Sequence, residues 1–280
     1  MRRDIQHSLA PMLATDGAGV KLKRLFPVSG LEQIDPFLLF DHFGSDNPDD
    51  FIAGFPMHPH RGIETVTYML EGRVKHSDST GRSGVIEAGD VQWMSAGRGI
   101  MHEEMPERAD GRLSGFQLWV NLPAREKMKP ADYQEYKASE ITAFEYEGHQ
   151  IRLISGELAG QQGVVKNVST LPLYADISLS AGQLSLQLPD HHHAFVYVFE
   201  GTTQVVNASG ESQAVLAPRL VTLSDGDELV FNTPESARVM LAAAQKIGEP
   251  VARWGPFVMN TREEIDQTLA EMREGRFPPA

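Results

Sequence analysis

Glycine and proline punctuate this chain so closely that long helices have little room. The 25 Gly and 17 Pro fall between short runs such as 63–70 (IETVTYML), 115–122 (GFQLWVNL) and 194–199 (AFVYVF). Runs of this length, bounded by turn residues and lacking helical spacing, read as the strands of a barrel or sandwich. Two stretches read as helix. One is a polar connector over 130–139; the other spans 261–274, where Thr261 and Glu264 form a capping box and Gly275 supplies the stop. The expected class is therefore all-β. A length of 280 residues suits one or two domains. Two similar units, divided near 130–145, would explain a faint internal echo: 70–72 (LEG) recurs as 199–201 (FEG), and Gly89-Asp90 as Gly226-Asp227.

Composition narrows the chemistry. There is no cysteine, which removes disulfides, thiolate metal sites and cysteine nucleophiles together. Any metal must be held by histidine and carboxylate, donors that suit iron and related transition metals. The formal charge of −13 and the lack of a basic run argue against a direct grip on nucleic acid. No apolar run approaches the roughly 18 residues of a membrane span. Residues 1–10 carry two arginines without the apolar stretch of a secretion signal, so the expected location is the cytoplasm.

Histidine placement carries the functional signal. In 54–64 (GFPMHPHRGIE), His58 and His60 stand two apart and share one face of a strand. Glu64, Val66, Tyr68 and Leu70 continue the same parity. About forty residues on, 97–104 (GRGIMHEE) places His102 and Glu104 on a common face, with Glu103 opposite. Three imidazoles and a carboxylate, delivered as two such pairs, can surround one ion and leave positions open for substrate or dioxygen. By parity alone Glu64 competes with Glu104 as the carboxylate. His42 and His76 read as hydrogen-bonded loop residues, and Trp93 and Trp119 as core rather than pocket, though a barrel mouth uses the same residue types. Arg61 and Arg98 read as solvated by default, though either could orient an anionic substrate.

The strings 58–64 (HPHRGIE), 90–102 (DVQWMSAGRGIMH) and 117–123 (QLWVNLP), with 40–44 (FDHFG) and 255–260 (GPFVMN), closely resemble the pirin family of the cupin superfamily. The similarity runs over nearly the whole chain and is densest from 36 to 123. It implies a bicupin, two antiparallel β-barrel (jelly-roll) domains with a short connecting helix and a C-terminal helix. The expected domains are 1–135, which binds metal, and 136–280, which does not and carries the helix at about 261–274. The family's ligands carry over onto His58, His60, His102 and Glu104, with Glu64 as a supporting group. In the second half, aligning the Glu-Gly turns sets Gln187 and Pro189 opposite the first pair. Aligning the Gly-Asp turns sets Val239 and Leu241 opposite the second. No histidine follows His193, and His191, His192 and His193 read as half a site or a polar loop.

The resemblance further implies an oxidoreductase of quercetin 2,3-dioxygenase type, opening the central ring of a flavonol-like aromatic molecule with O2 and releasing CO. One divalent transition metal would serve, Fe(II) first, with Mn, Co, Ni or Cu compatible. Glu104 would act as general base. A second expectation is an iron-dependent regulatory protein that modulates a transcription factor or metabolic enzyme by protein contact. A charge of −13 favours a protein partner over nucleic acid for that role.

Overall fold

The computed structural model describes residues 1–107 and 112–279. It falls into two compact units, and no single cut separates them. One unit combines residues 12–33, 37–139 and 247–280; the other combines 1–11, 34–36 and 140–246. These units differ from the expected ranges 1–135 and 136–280 at both ends, for a physical reason. The helix Arg262–Arg273, capped by the Thr261–Glu264 box, buries Ile265 with Phe257 and Met259 and anchors on Arg61 of the histidine-bearing unit. The expected helix over 130–139 is also absent. Residues Asp132–Tyr136 form a strand along Val91–Ser95, where Tyr133 and Tyr136 favour a half-buried pleated edge over a short polar helix.

The histidine-bearing unit is all antiparallel. Its larger sheet has the order Asp132–Tyr136, Val91–Ser95, Ile63–Glu71, Leu113–Asn121, Phe37–Ser45, Val20–Phe26, Met12–Asp16. Its smaller sheet has the order Phe55–His60, Ile100–Pro106, Arg73–Asp78, Ser83–Glu87. Phe55–His60 is an edge strand, which is why it tolerates Pro56 and Pro59. The chain passes from this strand to Ile63–Glu71, in the larger sheet, through Arg61 and Gly62. Gly62 has φ +78°, and a Cβ there would meet the Val258 carbonyl oxygen, so only glycine fits.

The other unit repeats the same plan with longer strands. Its sheet runs Ile5–Leu9, Arg219–Leu223, His192–Val206, Glu228–Gln245, Leu173–Gln187, His149–Ser155, Thr142–Tyr146, with Ser212–Leu216 paired to His192–Val206. Strand by strand this matches the larger sheet of the first unit. The place of Asp132–Tyr136 is taken by the chain's own N-terminal strand. The two units are thus the barrels of a bicupin. Among the described residues no helix is long and apolar enough to cross a membrane.

Candidate metal centre

Pairing between Phe55–His60 and Ile100–Pro106 sets His58 directly across from His102, and a register shift beyond His102 sets Glu104 across from Phe55. One ring nitrogen from each of His58, His60 and His102 lies within 4.8 Å of the others. His60 and His102 are buried, with 2% and 1% of their surfaces exposed. Burial and the neighbouring imidazoles hold both well below the usual histidine pKa, so both are neutral with lone pairs available. Neither ring nitrogen of His102 nor Nδ1 of His60 has a hydrogen-bond partner, and Nε2 of His58 faces Nε2 of His60 at 3.0 Å. Convergent, buried and unsatisfied imidazole nitrogens are what a divalent transition metal fits.

Glu104 lies outside this 4.8 Å group but lines the same cavity, almost fully buried. Thr67 Oγ1 lies 3.0 Å from its Oε1 and 2.7 Å from the side-chain oxygen position of Gln117. Thr67 has one proton to give. Both contacts are satisfied when the carboxylate takes it and the Gln117 amide presents its NH2. Glu103 points away and accepts from Ser77 Oγ at 2.6 Å. Glu64 is spent elsewhere: Trp93 Nε1 donates to its Oε2 at 2.9 Å and Lys129 Nζ to its Oε1 at 3.0 Å. Parity counted across Gly62 breaks down because the chain changes sheets there. From Ile63–Glu71 the cavity takes Thr67, not Val66 or Tyr68.

The cavity holds about 470 Å³ and is walled by Leu22, Leu39, Phe43, Phe55, Val74 and Trp119 beside the histidines. Trp119 stands edge-on to His60, ring centres 5.1 Å apart. Arg24, Asp41, Asp16 and Arg253 supply its charged part. Sequence reasoning missed Arg253, which lies some 150 residues beyond His102 in no local motif. Arg61 is not solvated. It is 2% exposed and binds the Arg98 carbonyl, Thr268 and Glu271. His42 and His76 are buried strand residues rather than loop residues.

The second barrel has no such cluster among its described residues. With the left-handed Gly72 and Gly201 matched, His76 corresponds to Val205. The pairings of these residues carry Glu104 to Phe231 and His102 to Leu229, so that His58 paired with His102 corresponds to Leu186 paired with Leu229. His60 then corresponds to Leu188 and Glu104 to Phe231, and all four replacements belong to one apolar core. The alignment through Gln187 and Pro189 is therefore off by one residue. The alignment through Val239 and Leu241 fails because the Gly-Asp turns are not equivalent: Gly89-Asp90 precedes the strand Val91–Ser95, whereas Gly226-Asp227 follows Arg219–Leu223. His193 Nδ1 donates to the Asp35 carbonyl, 2.6 Å away, and His191 is exposed.

Fold and site together define a bicupin with one histidine-rich barrel. The Pirin family model matches residues 19–120 and the Pirin C-terminal cupin domain model matches 174–278. A Pseudomonas aeruginosa protein named "Putative quercetin 2,3-dioxygenase" is 46% identical over 269 residues, covering 94% of this chain and 93% of the relative. Rat pirin is 39% identical over 267 residues, covering 94% and 89%. The crystal structure of a quercetin 2,3-dioxygenase from Acinetobacter baumannii superposes with a TM-score of 0.90 at 33% identity, covering 99% of each chain. The chain belongs to the pirin family.

Proposed function

We propose that this protein is a metal-dependent dioxygenase that cleaves a flavonol-like ring with O2 and releases CO, with His58, His60, His102 and Glu104 holding one divalent transition metal. The observation that carries this reading is the convergence of three imidazoles, two of which, His58 and His60, line a largely apolar cavity of about 470 Å³. The likeness to the A. baumannii quercetin 2,3-dioxygenase, 33% identical over 99% of the chain, supports it. A metal bound there supplies Lewis acidity toward a substrate hydroxyl and a site for dioxygen chemistry. Three nitrogens and one oxygen suit Fe(II) first, and Mn, Co, Ni or Cu also.

Glu104 takes the proton of the flavonol 3-hydroxyl. Thr67 fixes one of its carboxylate oxygens, which aims the other for the transfer. Trp119, Phe43, Phe55, Leu22 and Leu39 hold the rings and exclude water from the reactive oxyanion. A purely regulatory metal site has no need of a cavity this size, so the cavity favours an enzyme over a metal-gated binding protein. The test is aerobic quercetin turnover by metal-analysed protein, read as loss of flavonol absorbance and release of CO. Turnover that scales with bound metal and disappears in His102→Ala is expected. Fully metal-loaded protein that releases no CO from quercetin or related flavonols would overturn the assignment.

A further inference from the structure

The cavity's two arginines are used differently. Arg24 is paired with carboxylates: it binds Asp41 through Nε at 3.0 Å and Nη2 at 2.7 Å, and Asp16 through Nη2 at 2.8 Å. Arg253 has no carboxylate within 4.0 Å among the described residues. Its Nε reaches the Gly255 carbonyl at 3.2 Å and its Nη1 the Leu38 carbonyl at 3.4 Å, so Nη2 is left without a protein acceptor. The guanidinium lies over the Trp119 ring, 5.0 Å from its centre, and Trp119 in turn meets His60. One indole therefore links the histidine cluster to an unpaired cation in the same cavity wall. Arg253 is exposed to solvent, so Nη2 is open to water and to an incoming ligand.

We propose that Arg253 selects substrates bearing an anionic oxygen, a carboxylate or an ionised phenol, on an aromatic system held along Trp119. This rests on the reading of the cavity as the substrate site. Arginine suits the task because its planar fork pairs with a carboxylate while its face stacks on an aromatic ring. An anion there replaces water at the exposed Nη2 and gives the guanidinium a counter-ion. Arg253 is a specificity-determining residue in this account and takes no part in proton transfer.

The test is direct binding by calorimetry to full-length, metal-loaded protein without dioxygen. The probes are 3-hydroxyflavone-4′-carboxylate and its methyl ester, which share one ring system and differ in charge. Wild type should prefer the carboxylate by about tenfold or more, the scale of one charge-assisted hydrogen bond. Arg253→Gln should bring that ratio close to one, and Arg253→Lys, which keeps charge without the fork, should give an intermediate ratio. An unchanged ratio in Arg253→Gln overturns the proposal, and so does a wild type that fails to prefer the carboxylate. Because no turnover is measured, a failure of the dioxygenase reading leaves this result interpretable.

Discussion

The C-terminal helix is tied to the histidine-bearing barrel by a buried ion pair, and breaking it should be costly in a specific way. Arg61 is 2% exposed and Glu271 12% exposed at the side chain, with Nη2 and Oε2 2.6 Å apart. Nη1 donates to Thr268 Oγ1 and Nε to the Arg98 carbonyl, and Phe277 lies beneath the guanidinium at 5.0 Å. Glu271→Ala leaves a buried cation without its counter-ion, a loss of about 3–5 kcal/mol for such pairs. The two surviving hydrogen bonds place this case near the lower figure. With a urea slope of ~3 kcal/mol/M, the unfolding midpoint should fall by roughly 1 M. The assay is selective, because the three tryptophans, 93, 119 and 254, all belong to this unit, so tryptophan fluorescence excited at the red edge, away from tyrosine, reports on it alone. Burial pushes the Glu271 carboxyl up, but hydrogen bonds from Arg61 and Gln267 bring it below its ordinary 4.5. The pair's stabilisation is thus present above pH 4.5 and lost as pH falls through the lower folded value, so the two proteins should converge in acid. Arg61→Met combined with Glu271→Ala should recover much of the loss, since no buried charge is left. A midpoint shift under ~0.2 M, or a double variant less stable than Glu271→Ala, would refute the reasoning.

His42 packs on Phe116, and burial, then Lys23 and Arg112, lowers its pKa to about 3. The unfolded chain therefore binds a proton that the fold does not between pH 6.5 and 3, and stability should fall by up to about 1.4 kcal/mol per pH unit there; His42→Gln should flatten the slope in fluorescence-detected urea titrations. Lys127 is 1% exposed and donates to Gly62 O, Val258 O and Asn121 Oδ1 at 2.9, 3.0 and 2.7 Å. Lys127→Met leaves three buried acceptors unpaired and should lower stability by about 3 kcal/mol in the same assay. His58→Ala, His102→Ala and Glu104→Ala should each lower metal content by elemental analysis, whereas Glu103→Ala should keep it. Retention by Glu104→Ala with loss in Glu64→Ala would reverse the choice of carboxylate. His102→Leu should lose metal yet unfold at higher urea than metal-free wild type, by about 1–3 kcal/mol, because two buried unsatisfied nitrogens are removed.

How much of this could be read in the chain depended on whether the signal was local. The capping box at Thr261 and Glu264 and the shared face of His102 and Glu104 are short-range patterns, and both appear in the structure. Short turn-bounded runs likewise gave the all-β class. Parity reasoning failed where it crossed a change of sheet: Gly62 intervenes between His60 and Glu64, and the carboxylate turns to Trp93 and Lys129. The polar stretch 130–139 looked helical because its strand partner, Val91–Ser95, lies some forty residues earlier. Long-range closure was equally silent. Nothing near Arg61 announces Glu271, and nothing near Trp119 announces Arg253.

The second barrel supplies the control that the first one needs. At the positions of His58, His60, His102 and Glu104 it carries Leu186, Leu188, Leu229 and Phe231, all in the core, and the strand order is unchanged. The barrel plan therefore does not require polar groups there; apolar side chains fill the same place and avoid the penalty of buried, unpaired nitrogens. A fold that satisfies local rules nearly everywhere and breaks them in one cluster is expected to do so for function. The His102→Leu prediction follows from this contrast, since it moves one position of the first barrel to the solution the second already uses.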